Sequence, residues 1–173
     1  MVTLRCTAKL LKRLGIERHP PNPPPPTNAL GDWYADIVFT RPAHLVLCLS
    51  ERTGLCVIVE ARDLPSLVPR FIRRLRELLI HIRAAPEAVE REIAATSHLA
   101  FGATTNRSAI ALMNRAVMEL KFFFPQSDDL SVHDLSNHFS GRPCGNPIRF
   151  PDEVARGLLA PRPKLTLLDG GTT

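Results

Sequence analysis

The sequence predicts an α+β fold, with one mainly antiparallel sheet of about five strands packed against helices in a single domain over residues 1–160. Continuous apolar runs at 45–49 and 55–59 are typical of central strands that are covered on both faces. The segment after Asp63 has apolar residues at helical spacing. Strands and helices do not alternate strictly, which favours α+β over α/β. A length of 173 residues with 45% hydrophobic content is that of one globular domain.

The first half of the chain contributes most of the predicted strands. Alternating apolar residues from Val2 to Cys6 predict a short strand, and Thr7 is expected to cap a small helix that stops at Gly15. Gly54 is expected to adopt a left-handed conformation in a hairpin loop. The remaining strands predicted in this half lie at residues 32–40, 45–49 and 55–59.

Helices dominate the second half of the chain. Asp63 is expected to cap the longest one, whose apolar stripe extends to Ile82. Pro69 either bends this helix or marks its true start. Two further helices are expected to be capped by Asn106 and Ser131. Prolines are expected to open two more helices at 86 and 151, and residues 99–103 alternate as a strand.

Two segments are predicted to lack regular structure. Residues 19–29 are rich in proline, which fixes φ and lacks a backbone donor, so they should form a stiff connector on the surface. As a PxxP-like stretch, this connector could also dock into an aromatic groove of a protein partner. Residues 161–173 show no periodicity and are predicted to form a flexible tail.

Composition places some limits on the function. No apolar run approaches the ~20 residues that span a bilayer, and the amino-terminal segment lacks the apolar block of a secretory signal. Four cysteines in a chain of this length do not make a disulfide scaffold. The expected protein is therefore soluble and cytoplasmic, without a membrane partner.

Positive charge is concentrated in two places. The net charge is +5; residues 1–19 hold five basic groups and one acidic group, and residues 62–83 hold six arginines and two acids. Clustered cations attract phosphates and speed association with polyanions. The pattern predicts a non-enzymatic accessory protein that binds nucleic acid or another anionic partner, and a purely compositional bias towards arginine is the competing interpretation.

The strongest candidate site for an anion begins at Asn106. If a helix starts there, its first amides carry partial positive charge, and Arg107 and Ser108 add donors suited to phosphate. Asn114 and Lys121 follow Arg107 at seven-residue intervals, so the three side chains should form one polar stripe. Ordinary helix capping by Asn106 is the alternative interpretation.

A second candidate surface lies on the longest predicted helix. Arg70, Arg73 and Arg74 occupy adjacent turns and could clamp a nucleic-acid backbone, because arginine pairs well with phosphate. The alternative is a solvated outer face of the helix, and no exposed aromatic residues interleave with these arginines.

The single tryptophan of the chain, Trp33, follows directly after Gly31 and Asp32. Trp33 could floor a pocket beside Asp32 and Lys9, or it could be a core aromatic at the start of a strand. If Lys9 and Asp32 converged with Asn106 and Arg107, the protein could be an enzyme that acts on a small anionic substrate. No catalytic residue can be assigned from the sequence.

The sequence contains only weak indications of a metal site and no recognised cofactor motif. Asp134, His138 and Cys144 have ligand-like spacing, but no CxxC or HExxH pairing supports a zinc site. The chain lacks a G-x-G-x-x-G turn, a P-loop and a G-x-S-x-G elbow. We therefore expect neither a metal nor a cofactor.

Several short segments, taken in order, resemble a known family over roughly residues 1–155. They are Thr7-x-Lys9-Leu10-Leu11, Leu30-Gly31-Asp32-Trp33-Tyr34, Glu51-Arg52-Thr53, Thr104-x-Asn106-Arg107-Ser108 with Met113-Asn114, and Pro143-Cys144-Gly145. The chain resembles an uncharacterised bacterial domain-of-unknown-function family, some of whose relatives look like the amino-terminal part of plasmid-borne open-reading-frame products. The resemblance implies the extent of the domain and implies no activity.

Overall fold

The computed structural model describes residues 1–17, 23–126 and 129–161. Within this part of the chain, five strands form one sheet in the order β4-β3-β2-β1-β5. The strands are β1 (Val2–Cys6), β2 (Trp33–Val38), β3 (Leu45–Ser50), β4 (Cys56–Glu60) and β5 (Leu99–Ala103). Helices cover both faces, so the predicted α+β class is confirmed.

The prediction of a mainly antiparallel sheet is wrong, because the sheet is mixed. β1 pairs in parallel with both β2 and β5, whereas β2–β3 and β3–β4 are antiparallel. The physical reason is the helix α1 (Ala8–Leu14), which follows β1 and carries the chain back before β2 begins. A strand that follows such a crossover runs parallel to the first one.

The described residues form six α-helices and two short 3₁₀ turns. The helices after α1 are α2 (Leu67–His81), α3 (Pro86–Thr96), α4 (Arg107–Phe123), α5 (Val132–Gly141) and α6 (Pro151–Leu159). The 3₁₀ turns are Leu64–Ser66 and Phe124–Gln126.

The long helix α2 starts later than the sequence predicts. Asp63 makes no capping hydrogen bond and has a left-handed φ of 51°, whereas a capping residue normally has an extended backbone. The 3₁₀ turn over Leu64–Ser66 precedes the helix, so Pro69 falls in the first turn of α2, where a missing amide costs no hydrogen bond. The helix therefore begins at Leu67, with Pro69 in its first turn, which favours the prediction that Pro69 lies near the true start.

Two hydrophobic cores lie on opposite faces of the sheet. We call the face covered by α1, α2, α3 and α6 the α2 face, and the face covered by α4 and α5 the α4 face. β2 supplies Trp33, Ala35 and Ile37 to the α2 face, and Tyr34 and Val38 to the α4 face. This alternation agrees with the prediction from the sequence that Trp33, Ala35 and Ile37 share one side of the strand and Tyr34 lies on the other.

The predicted signals at Gly54, Asn106 and Ser131 are confirmed, whereas Thr7 precedes α1 without a side-chain capping hydrogen bond. Gly54 closes the β3–β4 hairpin with φ 75°. The Asn106 side chain caps α4, and Ser131 forms a capping box with Asp134 at the start of α5.

Part of the predicted irregular structure lies outside the described residues. This applies to residues 19–22 of the proline-rich connector and to residues 162–173 of the predicted tail. Of the helices that are described, none is long and apolar enough to cross a membrane.

Candidate anion-binding surface

The amino end of α4 is fixed to the sheet through Asn106. Its side-chain Oδ1 accepts hydrogen bonds from the backbone N–H groups of Ser108 and Ala109, at 2.9 and 3.3 Å. Its Nδ2 donates to Glu51 Oε1 at 2.8 Å, and its backbone N–H donates to the hydroxyl of buried Tyr34 at 3.0 Å. Two other segments of the chain, at Tyr34 and Glu51, therefore hold the start of this helix in one position.

This capping changes what the helix start can offer an anion. The Asn106 side chain already uses the amides of Ser108 and Ala109, and the carboxylate of Glu51 lies against the cap. Arg107 is different: it is exposed and, within the described residues, makes no hydrogen bond or ion pair. An anion at this helix start would therefore meet the Arg107 guanidinium, because the amides of Ser108 and Ala109 are already bonded.

Arg107, Asn114 and Lys121 lie on the exposed side of α4, as their spacing predicts, and we call them the α4 stripe. In the described part of the chain, none of the three has a side-chain partner. At ~1.5 Å of rise per residue, the fourteen positions from Arg107 to Lys121 span about 21 Å. The stripe is long enough to contact several groups of an extended partner.

The surroundings of the stripe leave its charges uncompensated. Glu119, a nearby acid of the same helix, is occupied by Arg115 at 3.1 Å and by an ion pair with Arg142. Met118 is 72% exposed and Phe122 is 63% exposed. The outward side of α4 thus combines basic and apolar groups.

The three candidate arginines of α2, Arg70, Arg73 and Arg74, differ in their contacts. Arg70 donates to Ser66 Oγ at 2.9 Å and to backbone carbonyl oxygens of the loop before the helix, among them that of Asp63 at 2.9 Å. Arg74 pairs with Glu77 at 2.7 Å. Arg73 is exposed and has no partner in the described residues. The structure therefore brings no cluster of unpaired cations together on α2.

The candidate pocket around Trp33 is not assembled in the structure. Trp33 is fully buried on the α2 face, edge to face with Phe71 at a ring distance of 5.1 Å. Asp32 accepts from Arg5 Nε at 2.9 Å, and Lys9 instead pairs with Asp36 at 3.0 Å. Neighbouring residues of a strand point to opposite faces, so Asp32 and Trp33 cannot line one pocket. Lys9 and Asp32 do not converge.

A row of buried polar residues on β2 was not anticipated from the sequence. Asp32, Tyr34 and Asp36 alternate along the strand, and Asp32 and Asp36 are as buried as the core around them. Arg5 of β1 lies beside Tyr34 in the register, and Thr7 Oγ1 donates to Asp36. The even spacing of Asp32 and Asp36 in the sequence indicates that both lie on the same side of an extended segment. Because every member is paired, the row fixes strand register and supports the start of α4.

The cysteines and the acid–histidine pairs show no reactive arrangement. Burial raises the pKa of the Cys6 thiol to about 12, with a further contribution from the charge of Asp36. Burial likewise raises the pKa of Cys56 to about 12. Among the described residues, no group of three or more histidines, cysteines or acids could hold a metal ion, and Asp134 is used in the capping box of α5.

Comparison with known proteins identifies a family. The model of the family described as "Domain of unknown function (DUF6933)" matches residues 3–154, which include all the segments that carried the resemblance. Neither the curated proteins nor the solved structures contain a match to the chain. The predicted membership in a family of domains of unknown function is thereby confirmed: the chain belongs to the DUF6933 family.

Proposed function

We propose that this protein is a non-enzymatic accessory protein that binds nucleic acid through the α4 stripe. The observation that carries the proposal is that Arg107 and Lys121 are exposed on one side of a firmly anchored helix and have no partner among the described residues. A cation without an internal partner gives up no ion pair when it contacts a phosphate, so the electrostatic gain of binding is not offset.

The geometry of α4 suits such a partner. An α-helix fits the major groove of DNA, which is about 12 Å wide. Asn114, between the two cations, carries an amide that can both donate to and accept from a base edge or a phosphate. Cytoplasmic location and bacterial, plasmid-borne relatives, as predicted from the sequence, are consistent with a nucleic-acid partner and belong to the same proposal. Arg70 and Arg74 have no part in it, because protein groups occupy their donors.

Fluorescence anisotropy with short labelled single-stranded and double-stranded oligonucleotides tests the proposal. Two phosphate contacts predict that affinity falls about tenfold between ~50 mM and ~200 mM salt. The double variant Arg107→Ala/Lys121→Ala should lose most of the binding and its salt dependence. Arg156→Ala is the matched control, because it removes an exposed arginine from α6, which packs on the opposite face of the sheet.

Three results would overturn the proposal. The first is the absence of oligonucleotide binding at the lower salt concentration. The second is an equal loss of binding in the control variant. The third is binding of poly-glutamate as tightly as the oligonucleotides, which would identify an acidic protein as the partner class.

A further inference from the structure

A cleft of about 820 Å³ opens on the side of the molecule that carries α3 and α6. Its walls include Asn28, Arg52, Ala88 and Arg91, and Leu158 lies near the end of α6. The helices α3 and α6 pack on the α2 face, so the cleft is separate from the α4 stripe. Ligand-binding cavities commonly have volumes of ~300–1,000 Å³.

The wall formed by the loop before β2 is held rigidly from behind. Glu92 of α3 is 3% exposed and accepts from Asn28 Nδ2, from the backbone N–H of Ala29 at 3.0 Å and from that of Leu30 at 3.3 Å. Arg52 Nη1 donates to the backbone carbonyls of Asn28 and Ala29, at 2.9 and 3.2 Å. The cleft is therefore preorganised by hydrogen bonds from two directions.

Asn28 presents a buried acceptor that the protein does not use. Its Nδ2 donates to Glu92 Oε1 and to the carbonyl oxygen of Gly31, at 3.0 Å for the latter, and these two acceptors fix the orientation of the amide. Its Oδ1 is buried and has no hydrogen-bond partner in the described structure. A buried acceptor without a donor is unfavourable. Because Asn28 lines the cleft, a ligand donor that enters beside this residue and reaches the oxygen would relieve the cost.

Two guanidinium groups at the cleft can pair with an anion. Arg91 is exposed and has no ion pair among the described residues, and Arg52 adds a second guanidinium. Glu87 is the exposed acid among the lining residues. Buried Glu92 accepts three hydrogen bonds behind the wall and lies close enough to Arg52 for their charges to interact, so Arg91 is the main cation for an incoming anion. Leu158, which is half exposed, offers an apolar surface.

We propose that this cleft binds a small organic anion, with its charged group on Arg91 and Arg52, its apolar body against Leu158, and a hydrogen-bond donor on Asn28 Oδ1. This is a second site, independent of the nucleic-acid surface on α4.

The test is an amide NMR titration of the full chain with 4-hydroxybenzoate, which combines a carboxylate, an apolar ring and a hydroxyl donor. Benzoate lacks the donor and phenol lacks the charge, so the three probes separate the proposed contacts. We expect saturable shifts at residues 27–29, 85–91 and 158–160. Loss of one hydrogen bond should make benzoate about fivefold weaker than 4-hydroxybenzoate.

Arg91→Ala is expected to weaken 4-hydroxybenzoate binding about tenfold or more, because it removes a charge-assisted contact. Arg156→Ala, on α6 and not among the residues that line the cleft, should leave the affinity unchanged. Three outcomes would overturn the proposal: no saturable shifts at the cleft, equal affinity for 4-hydroxybenzoate and benzoate, or shifts confined to α4. None of these three outcomes bears on the proposed function of α4, which is tested separately by oligonucleotide binding.

Discussion

Glu92 joins α3 to the loop before β2, and the substitution Glu92→Gln measures how much this junction stabilises the fold. Glutamine keeps one carbonyl oxygen, which can still accept from Asn28 and Leu30, the partners of Oε1. Its amide nitrogen then replaces the oxygen that accepts from Ala29, so that two donors face each other. Each unsatisfied buried donor costs ~1–3 kcal/mol, and release of a desolvated charge offsets part of this. We expect a net loss of about 2–3 kcal/mol in the free energy of unfolding.

Urea unfolding followed by the fluorescence of Trp33 gives the measurement, since this tryptophan is fully buried and is the only one in the chain. In thermal unfolding, a loss of 2–3 kcal/mol corresponds to a Tm lower by about 4–12 °C for a chain of this size. Glu90→Gln is the control, because Glu90 lies on the same helix, is 64% exposed and pairs only at the surface with Arg76. Equal stability of the two variants would refute the assigned role of Glu92.

Four further outcomes are expected. Phe71→Ala should lower the free energy of unfolding by about 3–5 kcal/mol, since the ring is fully buried against Trp33; a loss below ~1 kcal/mol in urea unfolding would contradict this packing. Ser131→Ala should cost about 1 kcal/mol through loss of the capping box, and an unchanged urea midpoint would speak against the cap. A thiol reagent should modify half-buried Cys144 before the three fully buried cysteines, and a fast phase that persists in Cys144→Ser would be inconsistent with that order. Burial raises the pKa of Glu92, so the folded state binds its proton more tightly and stability from this group falls as pH rises from 4.5 towards the raised pKa. The stability difference between wild type and Glu92→Gln should therefore be larger near pH 4.5 than at alkaline pH. A difference that grows with pH would show that the pKa of Glu92 is not raised by folding.

Local features were predictable because their causes are local. The caps at Asn106 and Ser131 follow from side chains that reach amides two or three residues ahead, and the faces of β2 follow from simple alternation. The parallel pairing of β1 was not predicted, although the helix between β1 and β2 implied it. The start of α2 was missed because Asp63 adopts a left-handed backbone, which residue type alone does not reveal.

The site shows where sequence reasoning stops. Glu92 was not singled out, because its three donors come from residues 28–30, more than sixty positions away in the chain. The sequence predicted that Arg70 could contact phosphate. In the structure its acceptors are mainly backbone carbonyl oxygens, which cannot be identified from the residue types. The position of Arg107 on one side of α4 with Asn114 and Lys121 could be predicted, because residues seven apart on a helix share a side whatever the tertiary structure.

The position of β1 between β2 and β5 affects how the chain folds during synthesis. β1 uses the first residues of the chain, yet one of its two neighbours is β5, in which Leu99 lies beside Val2. During synthesis, one edge of β1 therefore has no hydrogen-bonding neighbour until more than ninety further residues have left the ribosome. Closing so long a loop is slow relative to local contacts. A nascent chain stalled before β5 would expose a bare strand edge, which is the kind of surface that chaperones shield and aggregates exploit.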